Sequence, residues 1–380
     1  MEQPIVSHIS DVVAYKSCRR RWQWTSRYHG NLEPKRPYAP FFSGSAVHYC
    51  IEELRSEGTA PLTSLSTYLR QQLVTLRGNN QLWLAERPNI RQQVKLIKSM
   101  VEQYVAWTKQ NRGPFAEINM DQVAHECSFG PTIDPGSGEK ERGRAKDFPG
   151  VLLCDERGEP LRPLVMMAGK FDGLERKRDD GSLWISEYKT CRGIEERAKL
   201  LPHDEQATLY VYAASQIMEE PVSGIVYTLI RKKIPTSPEI LKNGHLSRNK
   251  NIDTTVAHFR KCIRAHYGPQ ATESFIQSQY GEVLANIAAF GDPFIARVAI
   301  ERPKQQLDLY IRELHATVVE MHNPNTAIYA NRTWSCPGCW LRQPCLARDM
   351  GDTDREIMLL ENEFQPRRAG LSELEDADKL

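Results

Sequence analysis

The stretch Met166–Thr190, MMAGKFDGLERKRDDGSLWISEYKT, limits the folds open to this chain more than any other. It reads as two short strands joined at the turn signal Asp180-Gly181. Side chains alternate faces along a strand, so Glu187 and Lys189 point the same way. Closing the hairpin on Asp180-Gly181 sets Asp172 opposite Lys189, and closing it one residue earlier sets Asp172 opposite Glu187. Either register gathers all three on one sheet face, with about 4.5–5.5 Å between the Cβ atoms of a direct pair. Two carboxylates and an ammonium are costly there as plain structure. They suit a divalent cation and a water to be activated.

An E-x-K triplet alone carries little, because about one arises by composition in a chain of this size. Glu175-Arg176-Lys177 is a second copy. It sits in the charged turn without apolar neighbours and reads as a solvated face. Glu187 and Lys189 instead alternate with Trp184 and Tyr188, after Leu183 and Ile185, as a buried strand would. Charges in such a strand need partners, and Asp172 in the facing strand favours a functional reading.

At 380 residues the chain can bury a sizeable core as one large or two modest domains. No run of about 18 apolar residues is present, so no membrane span is expected. MEQPIVSHIS carries no basic-then-apolar signal, and the expected location is intracellular, in the cytoplasm. A net charge of +2 neither favours nor excludes nucleic acid, but its distribution is uneven. Lys16, Arg19, Arg20, Arg21, Arg27, Lys35 and Arg36 stand against one acid, Glu33. The absence of a G-x-x-x-x-G-K-[ST] loop argues against an NTP-driven motor.

Residues 9–28 read as a helix with Ser10 as N-cap. After a proline-bearing loop at Pro34, Pro37 and Pro40, a second helix starts at Gly44, with His48 beside the stripe Val47, Cys50, Ile51, Leu54. Residues 62–110 look helical, with Pro88 in a first turn. Strands are expected at Val123–Phe129 and Val151–Cys154, flanking a polar loop over residues 130–150. Past the hairpin come a helix from Asp204 to Met218, a buried strand at Ile225–Ile230, helices over 252–290, a strand at Phe294–Ile300 and a helix from Pro303 to His322. The last residues form an acidic, weakly structured tail over 351–380.

Three further groups bear chemistry. Gln206-x3-Tyr210 stacks on one helix face just after the hairpin. By itself the pair is a polar helix start and a core tyrosine. Beside the carboxylates it can line the same cleft and hold a phosphate or a base. His48 is either a satisfied core histidine or a third metal ligand. Cys336-x2-Cys339-x5-Cys345, bent by Pro337, Gly338 and Pro344, reads as metal ligation. A fourth thiolate is needed, with Cys18 the candidate and Cys191 or Cys50 the fallbacks; the spacing fits zinc and an iron–sulfur cluster alike.

In order along the chain stand Cys18, His48, Gly169-x-x-Asp172, Glu187-x-Lys189, Gln206-x3-Tyr210 and Cys336, Cys339, Cys345. This order resembles the PD-(D/E)XK nuclease superfamily in its RecB-like iron–sulfur branch, which includes the AddB nuclease domain, exonuclease V and the CRISPR-adaptation nucleases. The resemblance implies an α/β fold, a restriction-endonuclease-like mixed sheet flanked by helices. Residues 1–350 would form the nuclease domain, with helical insertions at about 60–112 and 235–320. It also implies a [4Fe–4S] cluster on Cys18, Cys336, Cys339 and Cys345 that clasps the two ends of the chain. Mg²⁺ or Mn²⁺ would lie on His48, Asp172 and Glu187, with Lys189 orienting the attacking water or offsetting charge. Gln206, Tyr210 and the basic run Arg19, Arg20, Arg21 would hold DNA, as single strands or ends, with room for a helicase or recombination partner. Two other classes share these residues: a scaffold subunit with an inert site, and a zinc-stabilised nucleic-acid-binding protein.

Overall fold

In a computed structural model of the chain, which describes residues 3–26, 28–35, 39–77, 80–130 and 146–366, strand β1 (Ile5–His8) leads into helices α1 (Ile9–Ser17) and α2 (Arg19–Thr25). The single helix expected over 9–28 is divided at Cys18, and the N-cap of α1 is His8 rather than Ser10. Cys18 has extended backbone angles (φ −165°, ψ 110°). Its N–H still reaches the Ala14 carbonyl and its carbonyl takes the Trp22 N–H, both at 2.9 Å, so the chain turns without orphaning those groups. Arg27, Arg36 and Pro37 lie outside the described residues.

After β2 (Leu32–Pro34), α3 runs from Ala39 to Glu57, starting five residues before the expected Gly44. Helices α4 (Pro61–Arg77) and α5 (Asn80–Thr108) follow. Pro88 lies inside α5 instead of opening a helix. The face carrying Ile97, Met100, Val101 and Tyr104 packs into a core, and such packing outweighs the backbone bond a proline removes.

Strands β3 (Met120–Phe129), β4 (Lys146–Phe148), β5 (Val151–Leu152), β6 (Val165–Lys177) and β7 (Leu183–Cys191) come next. Of the loop expected over 130–150, residues 131–145 lie outside the described part and 146–148 form β4. Helices α6 (Ile194–Leu200) and α7 (Glu205–Met218) cross over to β8 (Val222–Arg231). A helical connection, α8 (Val256–Tyr267) and α9 (Glu273–Ala289), returns to β9 (Ile295–Glu301), followed by α10 (Lys304–Met321). β9 and α10 fall within the region expected as a helical insertion over 235–320, yet β9 is a sheet strand and α10 packs into the main core.

The chain ends with α11 (Arg342–Asp349), α12 (Thr353–Glu363) and β10 (Phe364–Pro366). The tail expected to be weakly structured from residue 351 is therefore ordered through 366, because β10 pairs antiparallel with β2 and Phe364 is buried beside Trp24 and Leu341. Residues 367–380 lie outside the described part.

Among the described residues, eight strands form one mixed sheet with the path β4-β3-β6-β7-β8-β9, and β1 and β5 also pair with β6. β7 and β8 are parallel, as a helical crossover permits, while β6–β7 and β8–β9 are antiparallel. Helices α1, α7 and α10 cover one face and α3, α4 and α5 the other. β7 is thus covered on both sides, which explains its nearly continuous burial. Helices α8 and α9 form a separate small core around Phe259, Ile263, Ile276 and Tyr280. No helix among the described residues is long and apolar enough to cross a membrane.

Candidate active site

The hairpin register pairs Gly173 with Ser186 and Leu174 with Ile185. Continued by one step it sets Asp172 level with Glu187, the second of the two registers the sequence allowed. The ladder stops before that step. Asp172 Oδ2 instead accepts the Tyr188 backbone N–H at 2.8 Å, so the carboxylate fills the gap where the strands part. An added Cβ at Gly169, three residues upstream, would stand 2.9 Å from Phe129 Cζ and 3.4 Å from Tyr210 Cε1. The glycine lets both rings close over the strand.

On the α7 side, Lys189 Nζ donates to Glu187 Oε1 at 2.6 Å and to Gln206 Oε1 at 3.0 Å. Gln206 Nε2 donates to Tyr210 OH at 2.7 Å. The four-residue spacing places Gln206 and Tyr210 on one face of α7, where Gln206 links Tyr210 to Lys189. Asp204 fixes the start of that helix by accepting the Gln206 N–H at 3.1 Å. From the α3 side, His48 Nδ1 stands 3.4 Å from Asp172 Oδ2. His48, Asp172, Glu187, Lys189, Gln206 and Tyr210 are thus linked in one site.

The electrostatics follow from burial. Burial, with the Asp172 charge next, raises the Glu187 carboxyl to about 7. Burial also works against ionising Asp172, but His48, the Tyr188 N–H and Lys189 hold its carboxyl below the usual range. For Lys189 burial favours the neutral amine, and the Glu187 and Asp172 charges overcome it, so its pKa is raised. His48 is raised for the same reason, with Asp172 outweighing burial.

No group of three or more His, Cys, Asp or Glu side chains among the described residues stands at metal-binding geometry. The donor chemistry nevertheless fits a divalent cation. Glu187 is 5% exposed and its Oε2 is buried without a hydrogen-bond partner, a costly state that a cation would relieve. Asp172 and the His48 ring lie alongside and offer the oxygen and nitrogen donors expected of such a site.

The second E-x-K copy is not a solvated face. Glu175 is 1% exposed, paired with Arg55 at 2.6 Å and also with Arg297. The Arg55 guanidinium also bonds Tyr188 OH, and Tyr188 lies between the two site residues Glu187 and Lys189. Glu175 belongs to the paired part of β6, and its side chain is buried against α3 and β9, which no local charge pattern reveals. Lys177 does reach the turn acids Asp179 and Asp180. Sequence reasoning missed Arg55, although it lies seven residues after His48, on the same helical stripe. His48, Arg55, Glu175, Asp172 and Tyr188 line a cavity of about 60 Å³.

The basic run makes contacts within the chain. Arg19 pairs with Glu320 at 2.5 Å and lies over the Tyr15 and Tyr329 rings. Arg20 pairs with Asp349 at 2.6 Å, and Arg21 bonds Ser17 Oγ at 2.5 Å. Trp22 and Trp24 are buried. Arg19 and Arg20 hold the N-terminal helices to later parts of the chain, whereas the Arg21 bond is local. Three of the four cysteines influence one another there: Arg20 Nη1 lies 3.2 Å from Cys345 Sγ, and Cys339, its pKa raised first by burial, is raised further by Cys18 and Cys345, while Cys336 adjoins Cys339 through its carbonyl, which takes the Cys339 N–H at 3.1 Å. All nine cysteines are free thiols.

A family model of the PD-(D/E)XK nuclease superfamily matches residues 8–346. No curated protein matches the chain. The match spans the sheet, the carboxylate hairpin and the cysteine segment, and a match of that extent shows that the chain belongs to the PD-(D/E)XK nuclease superfamily, whose members typically cleave with the help of a divalent metal.

Proposed function

We propose that this protein hydrolyses phosphodiester bonds in DNA with Mg²⁺ or Mn²⁺, as an exonuclease on single strands or ends. The observation that carries the reading is the hydrogen-bonded chain Glu187–Lys189–Gln206–Tyr210 beside Asp172, with one buried Glu187 oxygen left without a partner. His48, Asp172 and Glu187 would hold the cation, which supplies an acidified water and charge neutralisation at the phosphate. Lys189 has a fixed position, held by Glu187 and Gln206, and can donate to a nonbridging phosphate oxygen as charge builds there. Tyr210 and Gln206 keep that ammonium from swinging out of the cleft. Asp172, kept ionised by His48 and the Tyr188 N–H, remains an acceptor throughout the working pH range. The exonuclease mode and a helicase or recombination partner rest on the motif order shared with the RecB-like branch, and the intracellular setting on the character of the sequence MEQPIVSHIS.

The same reading assigns a [4Fe–4S] cluster to Cys18, Cys336, Cys339 and Cys345. Four free thiols on the joined ends of the chain, with an Arg20 N–H aimed at Cys345 Sγ, suit a structural cluster. It would tie residues 336–345 to residue 18, so that ligation energy becomes folding energy.

The test uses end-labelled single- and double-stranded DNA, linear and circular, with Mg²⁺ or Mn²⁺. Linear substrates should be degraded from their ends and circles spared. Lys189→Ala should lower cleavage by about 10²-fold or more while the protein stays folded and still binds DNA. Undiminished metal-dependent cleavage by that variant would refute the assigned site.

A further inference from the structure

The connection from β8 to α8 carries an unusual charge. Residues 231–268 hold nine Lys and Arg against two acids, Glu239 and Asp253, in a chain whose net charge is +2. Part of this charge is paired: Arg231 and Lys233 share Asp253, while Arg260 and Arg264 share Glu273. Lys242, Arg248 and Lys250 are exposed and meet no carboxylate among the described residues. Lys242 lies in the turn of a small hairpin closed by the Ile240–Leu246 bridge, with Gly244 at φ +80° in the same turn, and Arg248 and Lys250 follow it.

That hairpin is held rigidly. Leu246 is buried in the α8–α9 core, its N–H reaches Tyr267 OH at 3.2 Å, and Ser247 N–H reaches the Glu239 carbonyl at 2.7 Å. Ile240 and Leu241, on the outer part of the hairpin, are 65% and 43% exposed. The hairpin is also rooted at the site. Lys189 pairs with Leu229, and three residues later Lys232 N–H still bonds the Cys191 carbonyl at 2.7 Å. The segment therefore leaves the sheet at the C-terminal ends of the parallel strands β7 and β8, where ligands of open α/β sheets commonly bind.

We infer that this hairpin is the docking surface for the substrate strand, with Lys242, Arg248 and Lys250 on the phosphates and Ile240 and Leu241 against unstacked bases. The inference rests on the nuclease reading for the identity of the strand. A single strand suits the surface better than a duplex, because only unpaired bases present apolar faces to Ile240 and Leu241. Three exposed cations supply the backbone term, with Arg248 set in place by Gln279 Oε1 at 2.6 Å and by the Tyr280 ring.

The test measures fluorescence anisotropy of a labelled oligothymidylate about 20 nucleotides long, in EDTA so that nothing is cleaved, across a salt titration. Lys242→Gln/Arg248→Gln/Lys250→Gln in the full chain should reduce the slope of log affinity against log salt by about 2, at about 0.7 per lost phosphate contact. Lys242→Gln alone should reduce it by about 0.7. Melting temperatures should stay at the wild-type value. Ile240→Ser/Leu241→Ser should weaken the single strand and spare the duplex. Wild-type slope and affinity in the triple variant would overturn the surface, and equal loss on both substrates would overturn the single-strand assignment. A wild type that binds but never cleaves, with the slope change intact, would sink the hydrolysis reading and leave this surface standing.

Discussion

Glu175→Gln separates the buried from the exposed reading of β6. Glu175 is 1% exposed, and its partners Arg55 and Arg297 have side chains only 14% and 3% exposed. Arg297 Nε and Nη1 have no hydrogen-bond partner, so its charge depends on this carboxylate. The amide keeps the volume and removes the charge, leaving two guanidiniums side by side in a low-dielectric pocket. Breaking such a buried pair from one side costs about 3–5 kcal/mol, whereas a surface substitution stays within about 0.5 kcal/mol. The arginines, after burial has pushed the other way, hold the Glu175 carboxyl below its usual range. The sign is then fixed: its stabilisation is present above the unfolded carboxylate pKa and is lost as pH falls through the lower folded value. Urea denaturation of wild type and variant at pH 7 and at pH 4 is the assay. The expected result is a lower midpoint for the variant at pH 7, a gap that narrows towards pH 4, and reduced cleavage because Arg55 also holds Tyr188 between Glu187 and Lys189. A loss below about 1 kcal/mol at pH 7 would refute the buried network.

The remaining expectations concern the metal and the cysteines. Glu187, raised to about 7, favours the fold below its unfolded pKa, and metal-free protein should lose stability on its account as pH rises through about 7. Glu187→Gln should flatten that slope in EDTA, and Mg²⁺ at pH 8 should stabilise wild type but not the variant; equal responses would count against Glu187 as a ligand. Cys18→Ala should lower iron content, visible absorbance and solubility, with activity falling as a consequence, and an unchanged absorbance would exclude Cys18 from the cluster. Colourless, zinc-loaded wild-type protein would replace the iron–sulfur assignment by zinc.

The spacing of charged residues made much of the site legible. Glu187-x-Lys189 follows from strand alternation, and Gln206-x3-Tyr210 from the helical repeat, so each pair's common face is written in its own segment. The hairpin and the crossover to Ile225–Ile230 were legible because apolar periodicity and the Asp180-Gly181 turn act locally. The break at Cys18 was not, since CRRRWQW keeps helical propensity on both sides of it. Nor was the order in residues 351–366, which depends on pairing with a strand more than 300 residues away.

Sequence alone therefore gave the candidate site residues and their order, because type and short-range spacing are local properties of the chain. Tertiary structure decided three further things. It chose the register that brings Asp172 level with Glu187, through the gap at the Tyr188 N–H. It set Arg19 against Glu320 and Arg20 against Asp349, partners about 300 residues away in the sequence. And it buried Glu175 between Arg55 and Arg297, which come from opposite ends of the sequence and meet only when the sheet is packed. A charge shows its sign in the sequence, but its partner and its dielectric are set by the fold.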